Sequence, residues 1–299
     1  MNQPDTLMGE RALIGLLGAN IMKSLAPALH EDAFAAFGIK GHYHLMDTDR
    51  LPGRSLGQLL DAVRWAGFVG VNVTFPFKQE ILGLLDDVAP EARQIGAVNT
   101  VTFSRDGRTT GHNTDRSGFR RAFEEGLGRA CAEGLTIALF GAGGAGSAAA
   151  FALMDLGAAC LAINDVDMQR AAALVSEIER HFGPGRARLA GDPHRDLAQA
   201  RGVVNATAVG MLGLPGISAV PLEGLRPQLW VADVIYTPIE TPLIKAAVAM
   251  GCKVLSGGGM AVYQAVDAFR LFTGQEPDVG RMKRTFAAAL AARDAQLGG

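Results

Sequence analysis

The chain has 299 residues, 28 Lys+Arg against 30 Asp+Glu, a net charge of -2, and an apolar fraction of 48%. That length points to two domains with cores of their own. Its 38 glycines, scattered without period, exclude a collagen-like or low-complexity chain. The balanced charge, with no basic stripe, argues against nucleic acid and anionic membrane as partners. Cys131, Cys160 and Cys252 are widely spaced and form no CxxC pair, which fits a reducing compartment. Residues 1–5 lack a basic leader, and Asp155 interrupts the longest apolar stretch, 148–163, so a cytoplasmic protein without a spanning helix is expected. His42 and His44 would share one face of a strand, but no carboxylate or cysteine partners them nearby in sequence, so no metal site is expected.

In chain order, residues 12–17 read as a buried strand ending at Gly18. After a loop, Pro27 stands where a helix begins, with Ala26 as its N-cap, and helical spacing runs over 27–37 to Gly38. A strand over 42–46 and a helix over 56–65 follow. Val71, Val73 and Phe75 alternate with Asn72 and Thr74, which reads as a strand over 70–77. Lys78, two residues past Pro76, would be delivered to the end of that strand, where a lysine of lowered pKa is a usable reagent. Residues 79–85 look helical and 96–102 look extended. This alternation implies a mainly parallel sheet. The polar cluster 111–115 has a turn setting, and 117–127 is helical.

From residue 135 the pattern changes. An apolar strand (135–140) leads into Gly141-Ala-Gly-Gly-Ala-Gly146 and an alanine-rich helix (147–156). Strands at 160–163, 203–206, 229–234 and 253–255 alternate with helices at 167–181 and 242–250, and Gly257-Gly-Gly259 opens the final helices. This is a doubly wound α/β series. Glycines between a strand and a helix let the backbone approach a pyrophosphate, and the helix N-terminus supplies unpaired N–H groups. Asp165, at the end of the next strand, is placed to accept from a ribose 2′-OH and to repel a 2′-phosphate, so NAD is expected over NADP. Asp167 is better placed as the helix cap, which leaves Asp165 free for the ribose. Arg170, in the first turn of that helix, is either a surface charge or a group on the adenosine ribose.

Ser24-Leu-Ala-Pro27 with His30, Asn72-Val-Thr-Phe-Pro-Phe-Lys78, Gly96-Ala-Val-Asn-Thr100, Asn113-Thr-Asp115, the glycine turn, Asn205-Ala-Thr207, Asp233-Val-Ile-Tyr236 and Gly259-Met with Gln264 form an ordered series. In order and spacing the series resembles the shikimate/quinate dehydrogenase family. Asn164-Asp165 is most similar to its NAD-preferring branch, because the NADP-using enzymes carry an Asn-Arg-Thr triplet there. The resemblance implies a substrate domain (1–116), an NAD-binding Rossmann-type domain (117–256) and C-terminal helices (257–299) packing back on the first, with the active site in a cleft between the two domains. It further implies oxidation of a polyhydroxylated cyclohexane or cyclohexene carboxylate. Lys78 and Asp115 would be the acid–base pair, with Ser24, Thr74, Asn99, Tyr236 and Gln264 on the substrate. Gly141, Gly143, Gly144, Gly146, Asp165, Arg170, Asn205, Thr207 and Gly259 would bind the cofactor, with no metal. Asn72 reads more simply as a side chain holding a turn. Ala26 stands where the family carries Ser or Thr, which leaves a relative acting on an amino analogue as the alternative. A non-catalytic NAD- or quinate-sensing module is another, and a homodimer is an assembly the sequence leaves open.

Overall fold

Elements are numbered in chain order in the computed structural model, which describes residues 11–213 and 216–297; the leader reading at 1–5 lies outside them. The chain divides into one unit of Met1–Thr114 with Val262–Gly299 and a second of Asp115–Ala261. The first unit contains β1 (Arg11–Gly18), α1 (Ala26–Ala36), β2 (Lys40–Asp47), α2 (Leu56–Trp65), β3 (Gly70–Val73), β4 (Asp87–Val88), α3 (Pro90–Ile95), β5 (Thr100–Phe103) and β6 (Thr109–His112). At the C-terminus, α9 (Gly258–Thr273) runs across the division and α10 (Val279–Leu297) closes the first unit. Its sheet has the order β2-β1-β3-β5-β6-β4. Three pairings are parallel, but β5 runs antiparallel to both β3 and β6, so the sheet is mixed rather than mainly parallel. Leu17, Val71, Val73 and Val101 from the strands pack with Leu56, Leu59, Leu60 and Val63 from one face of α2. That i, i+3, i+4, i+7 spacing is the apolar stripe a core-facing helix needs.

Several boundaries differ from the sequence reading. The strand expected over 70–77 ends at Val73, because Thr74 begins a turn in which its carbonyl accepts from the Phe77 N–H. Residues 79–85 form a short 3₁₀ segment, Glu80–Leu84, rather than an α-helix. The strand expected over 96–102 is Thr100–Phe103, because Gly96 ends the unanticipated helix α3 at φ 69°, a left-handed conformation suited to glycine. The 111–115 turn is divided between β6 and the following helix.

The second unit contains α4 (Asp115–Gly126), β7 (Thr136–Phe140), α5 (Gly144–Asp155), β8 (Cys160–Asn164), α6 (Met168–Phe182), β9 (Ala187–Leu189), α7 (Pro193–Gln199), β10 (Gly202–Asn205), β11 (Trp230–Asp233), α8 (Pro242–Ala249) and β12 (Lys253–Leu255). Its sheet order is β12-β11-β10-β7-β8-β9, parallel throughout. Beginning at β7, this is the 3-2-1-4-5-6 order of a Rossmann sheet, with the direction of winding reversing between β7 and β10. On one face of this sheet Ala138, Phe140, Val203 and Val231 pack with Leu225, Leu243 and Ala247. Among the described residues no helix is long and apolar enough to cross a membrane.

In the first unit, His30 of α1 is buried and stacks on Tyr43 of β2, centroids 4.8 Å apart, with Phe269 and Phe272 of α9 around it. Its Nδ1 has no hydrogen-bond partner. Burial alone holds its pKa down at about 3, against 6.5 unperturbed. The unfolded chain therefore takes up this proton below pH 6.5 while the folded chain does not. The stability tied to neutral His30 is complete above pH 6.5 and lost as pH falls toward 3. Replacing His30 with Phe keeps a ring in the stack and removes the titration. Denaturant unfolding should then lose about 2–3 kcal/mol less between pH 6.5 and 4.5 than in the parent. An unchanged pH slope would mean that His30 does not titrate between the folded and unfolded states.

Candidate active site

In the first unit a one-way chain of buried hydrogen bonds converges on Asn99. The backbone N–H of Thr114 donates to Asn99 Oδ1 at 2.8 Å. A backbone N–H can only donate, so the other end of the amide must be its NH₂ group. That group donates to Thr114 Oγ1 at 2.9 Å and to Gln264 Oε1 at 3.1 Å. Upstream, the Tyr43 hydroxyl donates to Asn72 Oδ1 at 2.9 Å, Asn72 Nδ2 to Thr100 Oγ1 at 3.0 Å, and Thr100 Oγ1 to Asn99 Oδ1 at 3.1 Å. Asn72 thus bridges β2, β3 and β5 and does not hold a turn. Both ends of the Asn99 amide are engaged inside the protein. With its carbonyl oxygen taken by Asn99, half-buried Gln264 has its NH₂ group to offer as a donor.

The other first-unit candidates stand on short connecting segments. The carbonyl of half-buried Lys78 accepts from the Val98 N–H at 2.8 Å, which ties the lysine backbone to the residue preceding Asn99. The Thr74 N–H donates to Leu17 O at 3.0 Å, anchoring that turn to β1. Ser24 Oγ accepts from the Ala26 N–H at 3.2 Å, so its hydroxyl hydrogen remains to be donated. Ala26 is the first residue of α1, and Leu25 is the N-cap. Ala26 is therefore not the cap that the position of Pro27 suggests. What its methyl group omits is a hydroxyl next to Ser24.

In the second unit, the glycine turn joins β7 to α5 at the point where the winding reverses. Gly141 has φ +102°, and a Cβ there would stand 2.7 Å from Ala206 O. A Cβ on Gly146 would stand 2.0 Å from Gly141 O. These two glycines are demanded by close backbone packing. Gly143 differs: nothing lies within 4 Å of a Cβ placed there. It is the N-cap of α5, and having no side chain it leaves the first N–H groups of that helix to a ligand. Open space over uncapped N–H groups fits a pyrophosphate. Gly144 is the first residue of the same helix.

Beside the turn, buried Asn205 donates to Asp233 Oδ1 at 3.0 Å and accepts from the N–H and the hydroxyl of Thr207 at 3.1 and 2.7 Å. Thr207 Oγ1 in turn accepts from Val209 N at 3.1 Å. The Asn205 and Thr207 side chains therefore fold their own loop and present its backbone. Asp233, at the end of β11, also accepts from Ile235 N and the Thr241 hydroxyl. Burial outweighs those three bonds and raises its pKa to about 6. Sequence reasoning passed over Asp233 as a loop-holding group; an acid closing an apolar strand was the available signal. Tyr236 is half-buried three residues past β11, and a Cβ on Gly259 would come 3.1 Å from Ala122 Cβ of α4. Asp115 is buried at the start of α4.

Asp165 is not free. Its Oδ2 accepts from the Ala142 N–H at 2.7 Å and its Oδ1 from the Asp167 N–H at 2.9 Å. Asp167 caps α6, as expected, by accepting from Gln169 N and Arg170 N. The Arg170 guanidinium lies 3.3 Å from Asp167 and 3.8 Å from Asp165. His42, thought to lack a carboxylate neighbour, meets Glu31 of α1 at 2.8 Å. Among the described residues no three metal-ligating side chains gather.

The sheet order and the glycine turn define the class: a two-unit α/β protein with a Rossmann-type dinucleotide fold. Residues 16–101 match the shikimate dehydrogenase substrate binding domain, and 257–285 the shikimate 5′-dehydrogenase C-terminal domain. The chain is 50% identical to quinate/shikimate dehydrogenase (NAD(+)) of Corynebacterium efficiens over 280 residues, 92% of this chain and 97% of the relative. It is also 50% identical to shikimate dehydrogenase (NADP(+)) of Streptomyces avermitilis over 274 residues, 90% of this chain and 93% of the relative. The structure of quinate dehydrogenase from Corynebacterium glutamicum in complex with NAD superposes with a TM-score of 0.84 at 46% identity, covering 93% and 99% of the two chains. The chain belongs to the shikimate dehydrogenase family.

The sense of the hydrogen-bond chain is open to a stability test. Asn99→Asp keeps an acceptor for Thr114 N–H but places a second carboxylate oxygen against Gln264 Oε1. It should cost about 1–3 kcal/mol in thermal unfolding. Gln264→Met, combined with it, should recover part of that cost through a coupling of at least about 0.5 kcal/mol. Additive losses would mean that Gln264 does not face Asn99 through its carbonyl oxygen.

Proposed function

We propose that this oxidoreductase acts on a CH–OH group, interconverting shikimate with 3-dehydroshikimate and/or quinate with 3-dehydroquinate, with NAD preferred over NADP. The observation that carries this reading is the pairing, in one chain of this family, of an open-faced glycine turn with the oriented polar network around Asn99. Gly141, Gly143, Gly144 and Gly146 and the first N–H groups of α5 would hold the pyrophosphate. Asp165 and Arg170 would meet the adenosine ribose, and the Asn205–Thr207 loop and Gly259 would offer backbone around the cofactor. Bound there, nicotinamide supplies the hydride acceptor, which no side chain can provide.

The protein's own work is to bind, orient and move a proton. The hydroxyl hydrogen of Ser24 and the N-terminus of α1 favour the substrate carboxylate, joined by the Tyr236 hydroxyl. Thr74 and Gln264 address the ring hydroxyls, with the Gln264 carbonyl oxygen held by Asn99 and its NH₂ group left to donate. Lys78 and Asp115 form the acid–base pair that takes the hydroxyl proton and returns it in the reverse direction. At the end of β8 two carboxylates face one guanidinium, a local excess of negative charge that disfavours a 2′-phosphate.

Lys78→Ala should lower kcat by about 10²-fold or more for NAD reduction with both acids. Turnover within a few-fold of the parent would remove Lys78 from the reaction. Asp165→Ser should raise the ratio of kcat/KM for NADP to that for NAD, and should also raise KM for NAD itself, because the Ala142 N–H loses its acceptor. A cofactor ratio that stays put would take Asp165 off the ribose.

A further inference from the structure

Arg116 directly follows Asp115 and is the second residue of α4. Its Nε donates to Asp155 Oδ2 at 2.7 Å and its Nη2 to Asp155 Oδ1 at 2.6 Å, a side-on pair of parallel bonds. The guanidinium carbon lies 5.2 Å from the centroid of the Phe151 ring. Asp155 is the last residue of α5, the helix that begins in the glycine turn, and its carbonyl accepts from Arg129. Both charged side chains are largely covered, with 20% and 26% exposure.

Each charge stands at the wrong end of its own helix. A cation opposes the dipole at the start of α4, and an anion opposes it at the end of α5. Neither residue is therefore placed to stabilise the helix that carries it. Each is instead favourable to its neighbour: the guanidinium faces the carbonyl end of α5, and the carboxylate faces the N–H end of α4. The favourable interaction exists only while the two helix ends stay together. Two parallel bonds to a planar guanidinium also fix direction as well as distance, which a single ammonium contact does not. α5 then acts as a rigid strut of about 18 Å between this pair and the glycine turn.

We propose that Arg116 is a positioning residue, which through Asp155 sets where α4 begins against α5 and so where the Asp115 carboxylate stands relative to the glycine turn. This rests on the reading of Asp115 as a partner in proton transfer. Arg116 itself is assigned to neither substrate nor cofactor. Its loss should therefore act on turnover and leave cofactor affinity alone, because the glycine turn lies at the far end of the strut.

The test uses the full-length enzyme in steady-state assays with NAD and with shikimate and quinate. Arg116→Met keeps the length of the stem and removes the fork. It should lower kcat about tenfold to a hundredfold, the range a displacement of about 1 Å commands, with KM for NAD within twofold of the parent. The charge-swapped double variant Arg116→Asp with Asp155→Arg should regain kcat to within about fivefold of the parent. NAD titration by fluorescence shows that each variant is folded, and Asp155→Asn serves as a milder second break should Arg116→Met fail to fold. A kcat within twofold of the parent in the broken pair overturns the proposal. So does a loss the swapped pair leaves unrecovered in a protein that still binds NAD. Asp115→Asn, assayed alongside, separates the two ideas: near-normal turnover there would sink the acid–base reading itself, whatever Arg116 does.

Discussion

The hydrogen bond from the Thr114 N–H to the Asn99 side chain is the constraint on which the first unit's polar interior depends. A backbone donor has one sense only, so it fixes which end of the Asn99 amide is which. From there every neighbouring amide and hydroxyl is assigned in turn, out to Gln264 in one direction and Tyr43 in the other. Breaking one link in a buried network leaves an unsatisfied group, which costs more than the bond itself contributed. The residue held by that bond immediately precedes Asp115. The bond thus fixes the polarity of the network at the last residue of the first unit.

The second unit solves a related problem with a related device. Asn205, also buried at a strand end, folds the loop of residues 205–209 by bonding to Thr207 and Val209 while anchoring to Asp233. Asp233 in turn joins β11 to the cap of α8. Side chains that sequence motifs mark as ligand groups are here engaged by the protein itself and shape the backbone of their own loop. The glycine turn obeys the same logic. Gly141 and Gly146 are required because backbone from the Asn205 loop and from the turn itself approaches too closely for a Cβ, whereas Gly143 opens outward.

What the sequence made legible was local. The glycine turn, its flanking strand and helix, and the Asp167 cap depend on neighbours within a few residues and are present, although the helix begins at Gly144, inside the expected turn, rather than at residue 147. The antiparallel course of β5 was not legible, because period-2 alternation carries no direction. Ala26 was misread as a cap because Pro27 is the second residue of the helix rather than the first, a shift of one that spacing alone does not resolve. The partners of Asn72 and Arg116 were hidden for a different reason. Tyr43 and Asp155 stand 29 and 39 residues away and meet them only once the fold is made.

Asp165 is the group on which the proposed cofactor preference turns. Relatives equally similar to this chain are named for NAD in one case and for NADP in another, so overall likeness carries no preference. On the proposed reading, discrimination rests on a few groups at the end of β8. There the Asp165 carboxylate is doubly tied, to the glycine turn through Ala142 and to the α6 cap through Asp167. A carboxylate fixed by two backbone N–H groups cannot swing aside for a 2′-phosphate without releasing the turn that would hold the pyrophosphate. On the proposed reading, selectivity and pyrophosphate binding are therefore one property of this site. A change that opens it to NADP acts on the glycine turn as well.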